Sequence, residues 1–225
     1  MQLDVKDAAS IFNVSENTIY RWIRQRNLPV HRVSDQVRFN RAELLEWATA
    51  AKINVSAEFV KAPDPEEEVL PSLDKILKTG GIFYGVKGGD KASVLRSVVD
   101  LMGLPPDVDR EFLYDVLLAR ESMGSTAIGD GIAIPHVRNP IVLHVPQPSI
   151  TLCFLETPID FDALDGLPVS ILFTLVSPTV PSHLHLLSKL AFTLKDPGFK
   201  ALITRQAPPE EILQAARHVE ERLAK

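Results

Sequence analysis

The sequence predicts an α/β fold: in the larger part of the chain, a mixed sheet flanked by helices forms a sandwich. Apolar runs of strand type, such as Ser149–Leu155 and Val169–Val176, alternate there with segments of helical periodicity. Residues 20–41 instead hold six arginines against one acid, although the net charge of the chain is −5. This asymmetry predicts a small basic module in front of an acidic α/β body.

The composition is that of an ordinary globular protein. Of the 225 residues, 45% are hydrophobic and 24% charged, which is enough apolar mass for a sizeable core. The single cysteine, Cys153, excludes a disulfide within the chain and indicates a reducing compartment. Residues 166–188 lack Asp, Glu, Lys and Arg but contain three prolines, which favours a strand leading into a helix over a membrane span. We therefore expect a cytoplasmic protein without membrane insertion.

The boundary between the two modules is marked by proline and acid. Three prolines and the run Glu66–Glu68 lie between residues 52 and 71, and both features keep a segment extended and outside a core. We therefore predict a domain at residues 1–51, a semi-rigid linker at 52–71 and a second domain at 72–225.

Two short helices open the first domain. Val5–Phe12 is predicted as the first helix, and Ser15 is placed to cap the second. Ile19, Trp22 and Ile23 form an apolar face of that second helix. Polar side chains fall on a different face, at i, i+4 and i+7: Asn17, Arg21 and Arg24.

A hairpin and a further helix complete this domain. Residues 31–40 alternate around Ser34–Gln36 like a small hairpin, and Arg41–Ala51 has the periodicity of a helix. Two short helices, the second basic on one face, followed by a hairpin suit a helix-turn-helix: the second helix can enter a major groove while hairpin arginines reach phosphates. The alternative is a basic surface on a protein–protein module.

The segments "DVKDAASIFNVSENTIYRWIRQRNLP" and "RFNRAELLEW" resemble the MerR/excisionase-type winged helix-turn-helix family. The resemblance implies a DNA-binding function for this domain. A unit this small seldom holds a specific site alone, so we expect a homodimer or a partner. The contacts that the resemblance implies come from the second helix and from the wing: Ser15, Asn17, Thr18, Tyr20, Arg21, Arg24, Arg32 and Arg38.

In the second domain, residues 80–90 ("GGIFYGVKGGD") open with a strand-like segment. A loop of small residues, Gly124–Thr126, precedes the apolar run Ile132–Ile134 that leads to Pro135 and His136. The helical segments predicted around these runs are Lys91–Met102, Asp107–Arg120, Pro181–Lys195 and Glu210–Ala224.

Two histidines stand out as candidates for chemistry. His136 follows a strand and a rigid proline, and His183 lies on the apolar stripe of a helix, together with Leu187 and Leu190. Imidazole has an ordinary pKa of about 6.5, so the neutral ring is available as a nucleophile near neutrality. A structural hydrogen bond is the common explanation of a lone histidine on such a stripe. Two histidines without a carboxylate or cysteine set make a weak metal site, and no serine-hydrolase motif is present, so we predict no metal and no cofactor.

The segments "RESMGSTAIGDGIAIPH", "LETPIDFDALDGLPVSILFTLVSP" and "HLHLLSKLA" resemble the nitrogen-regulatory branch of the enzyme IIA domains of the phosphoenolpyruvate-dependent phosphotransferase system, which is related to the fructose and mannitol IIA domains. The resemblance implies that His136 is the phosphorylated residue, with His183 and Arg120 beside it as catalytic partners. It implies a phosphocarrier protein of the HPr or nitrogen-regulatory type as the phosphoryl donor. Ser125 and Thr126 are candidate substrate-binding neighbours, with a plain turn as the alternative.

The sequence departs from that family at one position, because Val137 stands where a glycine usually follows the active histidine. A stiff, bulky residue there is expected to slow phosphoryl transfer or change the donor. We interpret the chain as a regulator in which phosphorylation of His136 controls DNA binding. The alternatives are a degenerate, non-phosphorylated sensor, a sugar-transport IIA component, and an interaction protein that binds a kinase or a transporter.

Overall fold

A computed structural model describes residues 2–26, 28–33, 36–51, 53, 55, 71–106, 108–137 and 145–223. The chain divides into two compact units, residues 1–66 and 67–225, and each has its own core. Most of the predicted linker lies outside the described residues. Ile53 and Val55, at its start, pack against the core of the first unit.

The first unit joins three short helices to a small antiparallel sheet. Its described elements are β1 (Gln2–Leu3), α1 (Val5–Ile11), α2 (Glu16–Gln25), β2 (His31–Val33), β3 (Gln36–Asn40) and α3 (Arg41–Ala50). The strand order is β1-β3-β2, so the predicted hairpin is present and gains a third strand from the N-terminus. The sequence did not predict β1, because two residues carry no measurable periodicity.

Aromatic packing holds this unit together. The ring centroids of Phe12, Trp22 and Trp47 lie 5.3–5.9 Å apart, in edge-to-face and tilted arrangements. Aromatic pairs favour such offset and edge-to-face geometries. The Nε1–H of Trp47 donates to the Arg26 carbonyl at 2.9 Å, just beyond the end of α2. The third helix is therefore fastened to the end of the second.

The second unit is a sandwich of helices around a five-stranded sheet, as predicted. Its described elements are α4 (Leu73–Gly80), β4 (Ile82–Val86), α5 (Lys91–Leu101), α6 (Arg110–Ser122), β5 (Ala127–Gly129), β6 (Ile132–Ala133), β7 (Ser149–Ile159), β8 (Val169–Val176), α7 (Val180–Thr193), α8 (Pro197–Thr204) and α9 (Pro209–Leu223). The strand order is β4-β7-β8-β6-β5. The pairs β4–β7 and β6–β8 are parallel and the others antiparallel, so the sheet is mixed.

The two faces of the sheet bury two different cores. Along β8, Phe173 and Leu175 point to the layer that contains α4, α7, α8 and α9, whereas Leu172 and Val176 point to the layer that contains α5 and α6. Because helices cover both faces, β7 and β8 are apolar without alternation, which made them easy to recognise in the sequence. Close packing between layers also explains Gly80, where a Cβ atom would lie 2.2 Å from the Ile150 oxygen.

Several helices and strands begin or end at residues other than those predicted from the sequence. The helix predicted over Asp107–Arg120 begins at Arg110, capped by Asp109, and continues to Ser122. The strand predicted to end at Leu155 continues to Ile159. The sequence analysis missed the short elements α4, β5 and α8.

Candidate functional sites

Backbone contacts fix the position of His136. β5 and β6 form a hairpin whose two turn residues, Asp130 and Gly131, have φ values of 56° and 73°, as in the tight turns that Asp-Gly favours. Beyond β6, the Leu175 N–H donates to the Pro135 carbonyl at 2.9 Å, and His136 pairs with Leu175 in a parallel bridge. The segment that carries His136 is therefore anchored to β8.

A hydrogen bond to the backbone indicates the tautomer of the His136 ring. Its Nδ1 lies 2.7 Å from the Ile134 carbonyl oxygen. Because a carbonyl oxygen can only accept, Nδ1 carries the proton in this contact and Nε2 carries the lone pair of the neutral ring. The arrangement therefore presents Nε2 as the nucleophilic nitrogen.

The second candidate histidine lies next to the first. The ring centroids of His136 and His183 are 5.3 Å apart and the ring planes are inclined by 46°. The two residues are only 3% and 1% exposed. His136 is buried because its segment stays paired with β8 beyond Pro135 and its ring lies next to that of His183 on α7.

The N-terminal turn of α7 fixes His183. Thr179 caps the helix and forms a reciprocal capping box with Ser182, whose N–H donates to Thr179 Oγ1 at 3.2 Å. The His183 N–H donates to the Thr179 carbonyl at 3.0 Å. The predicted stripe is confirmed, since Leu187 and Leu190 are buried with His183. Both imidazoles thus lie close to the positive end of a helix dipole.

Arg120 and Ser125 belong to the loop in front of β5. Arg120 lies in the last turn of α6, and its Nη1 donates to the Gly124 carbonyl at 2.9 Å. The Ser125 hydroxyl donates to the Phe161 carbonyl and accepts from the Ala127 N–H at 3.1 Å. Both side chains therefore shape the loop.

Thr126 is tied to a residue that the sequence analysis missed. The buried Glu121 carboxylate accepts the Thr126 N–H at 3.1 and 3.2 Å and its hydroxyl at 2.6 Å. The Thr126 carbonyl in turn accepts the Ile134 N–H at 3.0 Å, which connects the loop to the segment that carries His136. A signal was present, because Glu121 continues the buried stripe of Leu113 and Leu117 at i+4 and i+8.

Val137 lies on the other side of the sheet from the two imidazoles. Its side chain is 0% exposed and packs in the core layer of α5 and α6, and its φ is not positive. The valine therefore packs into this core layer without straining the backbone, and its effect on phosphoryl transfer stays a prediction.

In the first unit, α2 presents the predicted polar face to solvent. Ile19 and Trp22 are buried, and Ser15 caps the helix by accepting the Thr18 N–H at 3.3 Å and contacting its hydroxyl at 3.1 Å. Asn17, Tyr20, Arg21 and Arg24 are exposed at i, i+3, i+4 and i+7 and share one face.

The two wing residues, Arg32 and Arg38, lie on β2 and β3 of the hairpin. Their side chains lie outside the described part of the structure. Over the ranges that the structure describes, no group of three or more His, Cys, Asp or Glu side chains could hold a metal ion. No helix among these residues is long and apolar enough to cross a membrane.

The second unit has a mixed sheet between helices, and His136 beyond a strand lies next to His183 at the start of a helix. Comparison with known proteins identifies the class as that of the phosphotransferase-system IIA domains. The chain belongs to the family described as phosphoenolpyruvate-dependent sugar phosphotransferase system, EIIA 2, whose family model matches residues 75–218. A helix-turn-helix domain model matches residues 3–52.

Relatives of the chain include nitrogen regulatory proteins. That of Pseudomonas aeruginosa is 38% identical over 144 residues, which cover 63% of this chain and 91% of the relative. That of Escherichia coli is 39% identical over 115 residues, 50% of this chain and 67% of the relative. Among solved structures, nitrogen regulatory protein IIA-Ntr from Neisseria meningitidis is 30% identical with a TM-score of 0.56, and the match covers 64% of this chain and 97% of that one. The chain is thus similar to the IIA-Ntr proteins in sequence and in structure.

Proposed function

We propose that this protein is a regulatory phosphoryl carrier that accepts a phosphoryl group on Nε2 of His136. The observation that carries the proposal is the imidazole pair: the His136 ring has its Nδ1 proton directed at a carbonyl and lies 5.3 Å from the His183 ring. Membership of the EIIA 2 family and the similarity to nitrogen regulatory proteins support it.

In the proposed step, the Nε2 lone pair forms a bond to phosphorus while the bond between phosphorus and the donor atom breaks, and its electron pair stays with the donor. His136 keeps its Nδ1 proton throughout, and the Ile134 carbonyl stabilises the positive charge that develops on the ring. The donor is a phosphocarrier protein of the HPr or nitrogen-regulatory type.

The negative charge on the phosphoryl oxygens needs donors fixed nearby. We assign this role to three groups: the His183 imidazole at the first turn of α7, the Arg120 guanidinium, and the loop at Ser125 and Thr126. Because both loop hydroxyls and the Thr126 N–H already bond within the protein, the contribution of the loop falls to the backbone N–H of Ser125.

The test is the intact mass of the protein after incubation with phosphoenolpyruvate, enzyme I and a phosphocarrier. Wild type is expected to gain one acid-labile phosphoryl group, and His136→Ala none. His218→Ala, which removes an exposed histidine on α9, is the matched control and should behave as wild type. A folded wild type that stays unmodified with a competent donor would refute the proposal.

We further propose that residues 1–51 bind DNA as a MerR/excisionase-type module, joined by the segment 52–71 to the phosphoryl carrier at 72–225. The exposed face of α2 supports this, because Asn17, Tyr20, Arg21 and Arg24 lie side by side where a recognition helix contacts a major groove. Ser15 and Thr18 position the helix start, and Arg32 and Arg38 supply phosphate contacts from the wing. The protein would act in the cytoplasm, as a homodimer or with a partner.

DNA retention at low salt tests this second proposal, because phosphate contacts are strongest there. Arg21→Ala and Arg24→Ala should each weaken retention, whereas Lys78→Ala, on α4 of the second unit, should not. Comparing the DNA affinity of phosphorylated and unphosphorylated protein then tests the coupling of the two domains. Equal affinities would exclude the coupling.

A further inference from the structure

The Glu121 carboxylate is buried, lies near a lysine and accepts hydrogen bonds from the loop in front of β5. Its side chain is 3% exposed, and Lys91 Nζ lies 3.7 Å from Oε1. Both carboxylate oxygens accept from Thr126, through its N–H and its hydroxyl. A buried carboxylate is costly unless it is paired and hydrogen-bonded, so this arrangement holds the start of β5 firmly in one position.

From Thr126 the contacts continue to the imidazole in two steps. The Ile134 N–H donates to the Thr126 carbonyl at 3.0 Å, and the Ile134 carbonyl accepts from Nδ1 of His136 at 2.7 Å. Each of these bonds fixes the residue that makes the next one. The position of the carbonyl that selects the His136 tautomer therefore depends on a carboxylate that does not touch the ring.

We propose that Glu121 is a positioning residue for phosphoryl transfer: through Thr126 and Ile134 it keeps the proton of His136 on Nδ1, and so keeps Nε2 available to the phosphoryl group. This inference rests on the proposed function of His136, because it assigns Glu121 a role in that same reaction. Glu121 acts through backbone geometry and makes no contact with the phosphoryl group.

Glu121→Gln is the test variant, because it keeps the size of the side chain but replaces one acceptor oxygen by an NH₂ group that cannot accept from Thr126. Asp162→Asn is the matched control. Asp162 is the other carboxylate on Lys91, at 2.5 Å, but its side chain is 78% exposed. Asp162→Asn therefore removes one negative charge next to Lys91 and leaves the hydrogen bonds between Glu121 and Thr126 unchanged.

The first readout is the ¹⁵N spectrum of the His136 ring in the full-length protein, which reports the tautomer without any phosphorylation. Wild type and Asp162→Asn should show a protonated Nδ1 and an unprotonated Nε2. Glu121→Gln should show a mixture in which part of the proton has moved to Nε2. An unchanged His136 spectrum in a folded Glu121→Gln protein would overturn the inference.

The second readout is the rate of phosphoryl acceptance. We expect at least about a tenfold loss in Glu121→Gln, as for a displaced reacting group, and a change within about twofold in Asp162→Asn, as for an exposed ion pair. A wild-type rate in Glu121→Gln would also overturn the inference. If wild type itself takes up no phosphoryl group, the proposed function fails, while the spectrum still decides the tautomer.

Thr126 provides a second variant pair in case Glu121→Gln does not fold. Thr126→Ser keeps the hydroxyl that donates a hydrogen bond to Glu121. Thr126→Val removes this hydroxyl while the volume of the side chain stays nearly constant. The valine variant should move towards Glu121→Gln in both the spectrum and the rate, and the serine variant should stay nearer to wild type than the valine variant in both. Identical spectra and rates for the two Thr126 variants would contradict the proposed path.

Discussion

At the scale of single residues, the residues on either side of Pro135–His136, Ile134 and Val137, have different structural roles. Ile134, before it, uses its carbonyl to orient the imidazole, whereas Val137, after it, faces the opposite core layer. Successive side chains of an extended chain point to opposite faces. A change at residue 137 is therefore a change in packing, and only indirectly a change in the site.

Val137→Gly should accordingly destabilise the protein without improving phosphoryl acceptance. Loss of a fully buried side chain together with the added flexibility of glycine is expected to lower the free energy of unfolding by about 3 kcal/mol. Urea unfolding and the phosphorylation assay measure the two effects, with Val137→Ala as the milder control. A glycine variant that is phosphorylated faster than wild type would show that Val137 does hinder the donor.

Cys153 should be chemically inert in the folded protein. Its side chain is 0% exposed in the core layer of α5 and α6, and burial raises the pKa of the thiol to about 12. Because the thiolate is the reactive form, iodoacetamide at pH 8 should leave the native thiol unmodified and alkylate it fully in denaturant. Complete alkylation under native conditions would show that the core opens readily.

At the scale of elements, caps decide where the short helices begin. α8 has only eight residues and a proline in its first turn, and it begins after Asp196, which accepts the Phe199 N–H at 2.9 Å and the Arg222 Nη2–H at 2.5 Å. A helix this short has little stability of its own. The cap and the ion pair therefore also fasten α8 to α9.

Asp196→Ala should destabilise the second unit by about 1 kcal/mol at neutral pH, as for other lost N-caps. The hydrogen bond from the Phe199 backbone and the bond from Arg222 hold the pKa of Asp196 below its ordinary value. A lowered folded-state pKa means that the carboxylate stabilises the fold above the unfolded pKa, and that this contribution is lost as the pH falls through the folded-state pKa.

The difference in unfolding free energy between wild type and Asp196→Ala should therefore shrink as the pH falls through the acid range. Urea unfolding at a series of pH values measures it. Asp115→Ala, which removes an exposed acid on α6, is the control for a general charge effect and should show little difference at any pH. If the difference in unfolding free energy between wild type and Asp196→Ala stayed constant down to the lowest pH measured, the stabilising role of the Asp196 carboxylate would be contradicted.

At the scale of the whole molecule, the two units carry different spectroscopic reporters. Both tryptophans of the sequence, Trp22 and Trp47, belong to the core cluster of the first unit, whereas most of the described helix lies in the second unit. Small domains bury a smaller fraction of their surface and are less stable. The two units are therefore expected to unfold separately.

Urea unfolding monitored by tryptophan fluorescence should show a lower midpoint than unfolding monitored by far-ultraviolet circular dichroism, in which the second unit dominates. Added DNA should raise the fluorescence midpoint alone, because a ligand stabilises the unit that binds it. Coincident transitions that shift together would show instead that the chain unfolds as one cooperative body.

Much of this architecture could be predicted from local patterns. The β7 and β8 runs, the Ser15 cap, the hairpin at 31–40 and the stripe that includes His183 all depend on residues close together in the chain. Several short elements were not predicted, among them β1, β5 and α8. Tertiary contacts stabilise those elements, and a local pattern does not record such contacts.

The sequence by itself determined the class of the domains, the choice of the two candidate histidines and the Ser15 cap of α2, because these follow from residue type and short-range spacing. Only the tertiary structure decided that His136 and His183, forty-seven positions apart in the chain, lie 5.3 Å from each other, that the imidazoles are buried, and that Val137 faces away. Each of these depends on how β6 pairs with β8 and how α7 packs on the sheet. A one-residue shift in that register would turn every side chain to the other face.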